Sequence, residues 1–273
     1  MHDVESNGAR IPAVGLGTWE LRDDVCIDIV GEGLKLGYRH VDTAQAYENE
    51  RQVGEGIRSS GVPREDIFLT TKIWYDKLNT GVLEKAAEDS LRALGVDYVD
   101  LLLVHWPNRD ISIAETMAGM SRVHAAGLAR NIGISNFTVA HIEEAVAKSD
   151  APIATNQIEY HPYLDQSKVM EACRNHGISV TAYCPIARGK VIGDPGIEPI
   201  AKRYGKTAPQ VTLRWLAQQP GVISIPRTSS KTRLAENLDI DDFVLSDAEM
   251  ATISDLANPD GRVVNVSWAP DWD

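Results

Sequence analysis

Short runs rich in Val, Ile and Leu alternate with stretches whose apolar positions recur at helical spacing, nearly from one end of the chain to the other. The β-rich runs fall at residues 38–43, 67–73, 99–106, 130–135, 154–159, 178–184 and 222–226. They show little alternation between apolar and polar, the pattern of parallel strands covered on both faces. The helical stretches lie at 48–60, 83–94, 113–126, 140–149, 166–176 and 208–218. Gly61, Gly95, Gly127 and Gly177 close four of them, the usual role of glycine just past a helix end.

Those strands, with an eighth short one expected within 240–245, predict eight βα units and hence a closed (β/α)8 TIM barrel, for which about 250 residues is typical. An open doubly wound sheet would show the same alternation. No linker or change of composition divides the chain, so one barrel domain over residues 1–273 is expected. Ahead of the first strand, within 4–14, Asn7-Gly8 is a strong hairpin signal and predicts a β-hairpin cap on the bottom of the barrel.

Composition narrows the function classes. With 43% hydrophobic and 24% charged residues, the 273-residue chain has the make-up of a soluble globular domain. No window approaches the ~18 apolar residues of a membrane span, and no basic segment followed by an apolar one opens the chain, so a cytoplasmic protein without a membrane partner is expected. The formal charge of −12 argues against a nucleic-acid partner, which needs clustered Lys and Arg against phosphates. Cys26, Cys173 and Cys184 stand far apart, which predicts buried reduced thiols and no metal site. Two nucleotide motifs fail. Gly15-Leu16-Gly17-Thr18-Trp19-Glu20 lacks the third glycine of a dinucleotide fingerprint, and Gly205-Lys206-Thr207 lacks the earlier glycine of a P-loop.

Catalytic groups of a barrel sit at the carboxyl ends of its strands. The first predicted strand reaches Asp42, the second Lys72 and the third His105, while Tyr47 follows Asp42 by five residues. Each alone has an ordinary reading: a helix cap, a snorkelling lysine, an interior histidine, a packed tyrosine. Their coincidence in register is the signal. A phenol of pKa about 10 donates a proton poorly near neutrality unless a cation stabilises its phenolate. Lys72 can supply that cation, with Asp42 holding the ammonium charged. His105 can orient a carbonyl and stabilise charge developing on its oxygen, with Tyr47 as general acid. Hydride must come from a nicotinamide cofactor, because protein side chains carry none to give. Two other readings remain open at this point: a barrel aldolase forming a Schiff base on Lys72, and a cofactor-binding regulatory subunit without turnover.

The chain resembles the aldo-keto reductases. The likeness runs through Gly15-Leu16-Gly17-Thr18-Trp19, Gly37-Tyr38-Arg39-His40-Val41-Asp42-Thr43-Ala44 with Tyr47, Thr71-Lys72, Leu103-Val104-His105-Trp106-Pro107, Gly133-Ile134-Ser135-Asn136-Phe137, Asn156-Gln157-Ile158-Glu159, Ile225-Pro226-Arg227-Thr228-Ser229 and Glu236-Asn237-Leu238. Within the family it is most similar to the bacterial 2,5-diketo-D-gluconate reductases, whose short connections and Trp-Asp ending match Pro270-Asp271-Trp272-Asp273.

The resemblance implies a (β/α)8 barrel with Asp42, Tyr47, Lys72 and His105 as catalytic tetrad and NADPH extended across the top. By position it assigns Ser135, Asn136 and Gln157 to the nicotinamide carboxamide and Tyr183 to stacking on the ring. It assigns Arg227, Thr228, Ser229 and Arg233 to the 2′-phosphate, Glu236 and Asn237 to adenine, and Thr18, Trp19 and Asp42 to the cofactor's neighbourhood. NADPH is therefore expected over NADH, although position 227 holds Arg where many members hold Lys. Trp19, Trp74 and Trp106 with His105 are the implied substrate pocket, and Trp268 and Trp272 lie on a tail that reaches over the mouth. A short loop at 107–110 implies a pocket open to small polar carbonyls, such as 2,5-diketo-D-gluconate or methylglyoxal-like dicarbonyls. Arg109 and Arg188 are either attractors of an acid group or surface charges. A monomer is expected, as in many members.

Overall fold

A computed structural model describes residues 2–273. It opens with an antiparallel pair, β1 (Asp3–Ser6) and β2 (Ala9–Pro12). Asn7 and Gly8 turn the chain with φ of 44° and 88°, the left-handed backbone that a two-residue hairpin turn requires. Asn7 Nδ2 donates to the carbonyls of Ile153 and His176 at 2.8 and 3.0 Å, and Ser6 Oγ accepts the Ser179 N–H at 2.8 Å. These bonds hold the hairpin against strand beginnings, so it closes the bottom of the barrel. Val4, Ala9 and Ile11 pack there on Leu101, Leu103, Ala154 and Ile223.

The ring follows in chain order: β3 (Leu16–Gly17), α1 (Asp23–Leu36), β4 (His40–Asp42), α2 (Glu50–Ser60), β5 (Phe68–Ile73), α3 (Val82–Leu94), β6 (Val99–Val104), α4 (Ile113–Ala125), β7 (Ala129–Ser135), α5 (Val139–Lys148), β8 (Ile153–Glu159), α6 (Ser167–Asn175), β9 (Ser179–Tyr183), α7 (Glu198–Tyr204), α8 (Ala208–Ala217), β10 (Val222–Ser224), α9 (Lys231–Leu238) and α10 (Asp247–Ser254). The strands β3 to β10 form one eight-stranded parallel sheet in sequence order. Bonds across its two edges close the cylinder: Gly15 N to Ser224 O at 2.8 Å, Ser224 N to Ala13 O at 2.8 Å and Gly17 N to Pro226 O at 3.1 Å. A Cβ at Gly17 would lie 2.8 Å from the Ile225 carbonyl oxygen, so the seam needs glycine there.

The eighth strand is not where the apolar pattern put it. Residues 240–245 form no strand; Ile240, Phe243 and Leu245 are buried apolar anchors of a loop. The missing strand is β3, first in the ring, so the strand predicted as first is the second. Two residues, one of them glycine, leave no period to read. Gly205-Lys206-Thr207, dismissed above as a P-loop, leads into α8, with Thr207 as its cap. Between strands and helices runs one apolar layer from Val14 to Ile253, each fully buried aliphatic side chain in it stabilising the fold by about 1.5–3 kcal/mol. Among the described residues no helix is long and apolar enough to cross a membrane.

Candidate active site

Register brings the predicted residues to one end of the barrel. Asp42 closes β4, Lys72 stands one residue before the end of β5, and His105 directly follows β6, its N–H bonded to the Ile73 carbonyl at 3.0 Å. Tyr47 ends a short 3-10 turn, Gln45–Tyr47. The ammonium of Lys72 is wholly buried and spends its three protons on Asp42 Oδ1 at 2.5 Å, Thr43 O at 2.9 Å and Tyr47 Oη at 3.3 Å. Tyr47 in turn meets His105 edge-on at 5.6 Å between ring centres, and Trp74 meets His105 at 5.0 Å. An amine so engaged is not presented to a carbonyl carbon, which counts against Schiff-base chemistry at Lys72.

The electrostatics differ from the simplest reading in one respect. Burial pushes the Tyr47 phenol well above its usual pKa, and the Asp42 carboxylate and Cys184 push it the same way. The ammonium does not make the resting phenol acidic. With Asp42 only 2.5 Å from the lysine, the ion pair offers the phenol little net positive charge. Tyr47 therefore rests fully protonated, the state a donor needs. Burial also lowers Lys72, opposed by Asp42. His105 is held well below its usual pKa by burial and by the charge of Lys72, so the imidazole is neutral; its Nδ1 is buried without a partner.

Two polar residues that the motifs left without a role fix this geometry. Asn49 is fully buried: it accepts the Thr43 hydroxyl at 2.9 Å and donates to the carbonyls of Thr18 and Leu21 at 2.8 and 3.0 Å, so it ties the Trp19 loop to the Tyr47 loop. Glu50 accepts the Thr71 hydroxyl at 2.5 Å behind Lys72. Thr18 also donates its hydroxyl to the Asp42 carbonyl at 3.0 Å.

The groups assigned to a nicotinamide form one connected set. Gln157 Nε2 donates to Asp42 Oδ2 at 2.7 Å, Ser135 Oγ donates to the Gln157 carbonyl at 2.7 Å, and Asn136 Nδ2 donates to the His105 carbonyl at 3.0 Å and to Ser135 Oγ at 3.1 Å. Asn136 adopts φ of 62°, and its Oδ1 accepts the Tyr183 hydroxyl at 2.8 Å. Tyr183 is thereby fixed while part of it stays accessible. At the rim, Arg227 and Arg233 are exposed, with Thr228 and Ser229 between them in sequence, a donor set suited to a phosphate monoester. Arg227 also donates to the carbonyls of Trp19 and Glu20 at 3.0 and 3.1 Å. Glu236 is half-buried, whereas Asn237 is buried, next to the Tyr38 hydroxyl that donates to the Leu234 carbonyl at 3.1 Å. These residues fit a phosphorylated dinucleotide lying from rim to centre.

Trp19 is exposed, Trp74 half-buried and Trp106 buried. Trp268 of the tail stacks on Tyr75 at 5.9 Å and meets Trp74 at 6.0 Å, while Trp272 meets Trp106 at 6.1 Å. Neither rim arginine is idle. Arg109 Nη2 donates to the Ala269 carbonyl at 3.0 Å, and Arg188 lies 5.1 Å over the Trp19 ring.

Residues 13–258 match the sequence model of the aldo/keto reductase family, and the chain belongs to that family of oxidoreductases acting on carbonyl groups. It is 43% identical over 266 residues to a methylglyoxal reductase DkgB of Yersinia pestis, covering 96% of this chain and 99% of that one, and 38% identical to a glyoxal reductase of Bacillus subtilis, covering 94% and 92%. A crystal structure provisionally described as a 2,5-diketo-D-gluconic acid reductase B superposes with a TM-score of 0.98 at 52% identity, over 100% of this chain and 98% of that one. An aldo-keto reductase of Bombyx mori, solved in complex with NADP, superposes at 0.90 with 36% identity, over 97% and 95% of the two chains.

Proposed function

We propose that the protein reduces small aldehydes and ketones, dicarbonyls foremost, to alcohols with NADPH. The observation that carries this reading is the Lys72 ammonium bridging Asp42 and Tyr47, with a neutral His105 against the same phenol. NADPH, when bound across Gln157, Tyr183 and the Arg227–Arg233 rim, would supply hydride for the carbonyl carbon, and the chain's residues do the rest. His105 orients the carbonyl oxygen and stabilises the charge growing on it. Tyr47 delivers its proton to that oxygen, and Lys72, already hydrogen-bonded to the phenol oxygen, stabilises the phenolate as the proton departs. Asp42 keeps Lys72 charged and fixes Gln157. Arg227 and Arg233 favour NADPH over NADH by pairing the 2′-phosphate. Relatives named for methylglyoxal, glyoxal and diketogluconic acid support small dicarbonyls as the substrate class.

The test is a panel of methylglyoxal, glyoxal, 2,5-diketo-D-gluconate and simple aldehydes, following NADPH oxidation and alcohol formed. Matched consumption and product support the reductase. Tight NADPH binding with no turnover on any carbonyl would restore the regulatory reading, and a borohydride-trapped adduct on Lys72 the aldolase.

A further inference from the structure

Glu159 ends β8, two residues beyond Gln157, and its carboxylate is wholly buried although the chemistry above makes no use of it. A buried carboxylate must find donors, and two of those it has found lie more than a hundred residues downstream. Oε1 accepts the Val263 N–H at 2.5 Å and bonds His161 Nε2 at 2.9 Å; Oε2 accepts the Val264 N–H at 2.8 Å. The neighbouring Arg262 guanidinium stands 3.9 Å from Oε2 and lies 3.7 Å over the ring of Trp272, the tail residue that meets Trp106. The tail from 261 to 273 has no helix or strand of its own, so ties to the barrel decide where it runs. Farther along, Arg109 holds the Ala269 carbonyl and Asp273 Oδ2 accepts the Val139 N–H at 2.9 Å. Between the clasp at Glu159 and these ties sit Trp268 and Trp272, packed on the aromatic residues beside His105.

We infer that Glu159 is a positioning residue: by clasping the start of the carboxyl tail it fixes the aromatic wall that receives the substrate's far end. The inference rests on the proposed reading, in which Trp74 and Trp106 face the substrate. Glu159 bonds none of Tyr47, Lys72 or His105, so releasing the clasp loosens the wall and leaves proton and hydride transfer intact. The consequence is a split between KM and kcat. A larger dicarbonyl, with more surface on the wall, loses more than a small one.

Glu159→Gln keeps the shape, but an amide turns N–H groups toward N–H groups and cannot satisfy all three donors. With NADPH, KM for phenylglyoxal is expected to rise about tenfold, that for methylglyoxal less, with kcat and NADPH affinity each held within about twofold. Arg262→Ala, a change on the tail outside the barrel wall, should raise KM in the same direction, and the double variant should do no worse than Glu159→Gln alone. Trypsin gives a readout independent of turnover: cleavage after Arg262 in Glu159→Gln should be about tenfold faster than in the unsubstituted protein. Unaltered KM and unaltered tail cleavage overturn the clasp, as do effects of the two substitutions that simply multiply. Should Glu159→Gln fail to fold, an unchanged KM in Arg262→Ala overturns it. Absence of carbonyl turnover in the unsubstituted protein sinks the reductase reading itself, and the cleavage rates still decide the clasp.

Discussion

Asp42 and Asp100 are both nearly buried strand carboxylates, and each is paired with cations, yet they sit at opposite ends of the barrel and are built differently. Asp100 stands near the start of β6, where its oxygens take Arg64 at 2.8 Å, Arg130 at 3.2 Å and the Leu69 N–H at 3.0 Å. The two guanidiniums lie 4.4 and 3.9 Å from the ring centre of Tyr98. Arginine keeps its charge at any ordinary pH, and the Arg130 side chain is 52% exposed, so that guanidinium keeps much of its hydration while pairing Asp100. Asp42 at the end of β4 faces a lysine with no exposure at all. A fully buried ion pair of that kind gains little as structure, because desolvation offsets most of the attraction. Its third hydrogen bond, to a phenol, is what a brace would not need. In barrels the strand beginnings hold the fold and the strand ends hold the chemistry; on the function proposed above, the same residue type does each job according to its end.

The sharpest break between the two ends is expected at Tyr47. Tyr47→Phe removes the proposed proton donor alone, so kcat should fall about a thousandfold. NADPH affinity should stay within about twofold and stability within about 1 kcal/mol, as read by fluorescence titration and urea unfolding. Asp100→Ala should behave inversely: it strands the Leu69 N–H and takes the carboxylate from Arg64 and Arg130, lowering unfolding stability by about 2 kcal/mol while kcat stays within about twofold. Loss of turnover in the second, at a temperature where it remains folded, would break the division. Arg233→Ala sharpens the upper end: NADPH should bind about tenfold more weakly and NADH nearly as before, and equal losses would remove Arg233 from the phosphate.

How much of this was legible depended on distance along the chain. Asp42, Lys72 and His105 could be aligned because each sits at the same stage of a strand and the apolar runs mark those strands. Tyr47 lies outside any strand, and only the chemistry of its neighbours and the family motif drew attention to it. β3 was illegible because a strand of two residues has no period. Glu159 stood within a quoted motif with no role, since the backbone amides it holds belong to an aperiodic tail 104 and 105 residues later. The direction of the Tyr47 shift was equally hidden. The pairing of Asp42 with Lys72 is readable from sequence, but not that Asp42, at 2.5 Å, leaves the lysine little net charge to offer the phenol.

The smallest expected effect separates the two ends by their response to acid. Burial and the Lys72 charge hold His105 well below its ordinary value, while in the unfolded chain it titrates near about 6.5. Between those two values the unfolded chain binds the extra proton and the folded one does not. Stability is therefore fully present above about pH 6.5 and declines as the pH falls below it, by at most about 1.4 kcal/mol per pH unit for this group. His40, buried beneath Asp42, shifts in the same direction and adds to the slope. His105→Gln should remove one histidine's share, so urea midpoints taken between about pH 7.5 and 5.5 should fall less steeply than those of the unsubstituted protein. Asp100→Ala should leave the His105 share of that slope in place, because the Asp100 carboxylate acts on His40 and not on His105. Parallel slopes for His105→Gln and the unsubstituted protein would mean that His105 accepts its proton in the folded state. The neutral imidazole assigned to the carbonyl oxygen would then have to be given up.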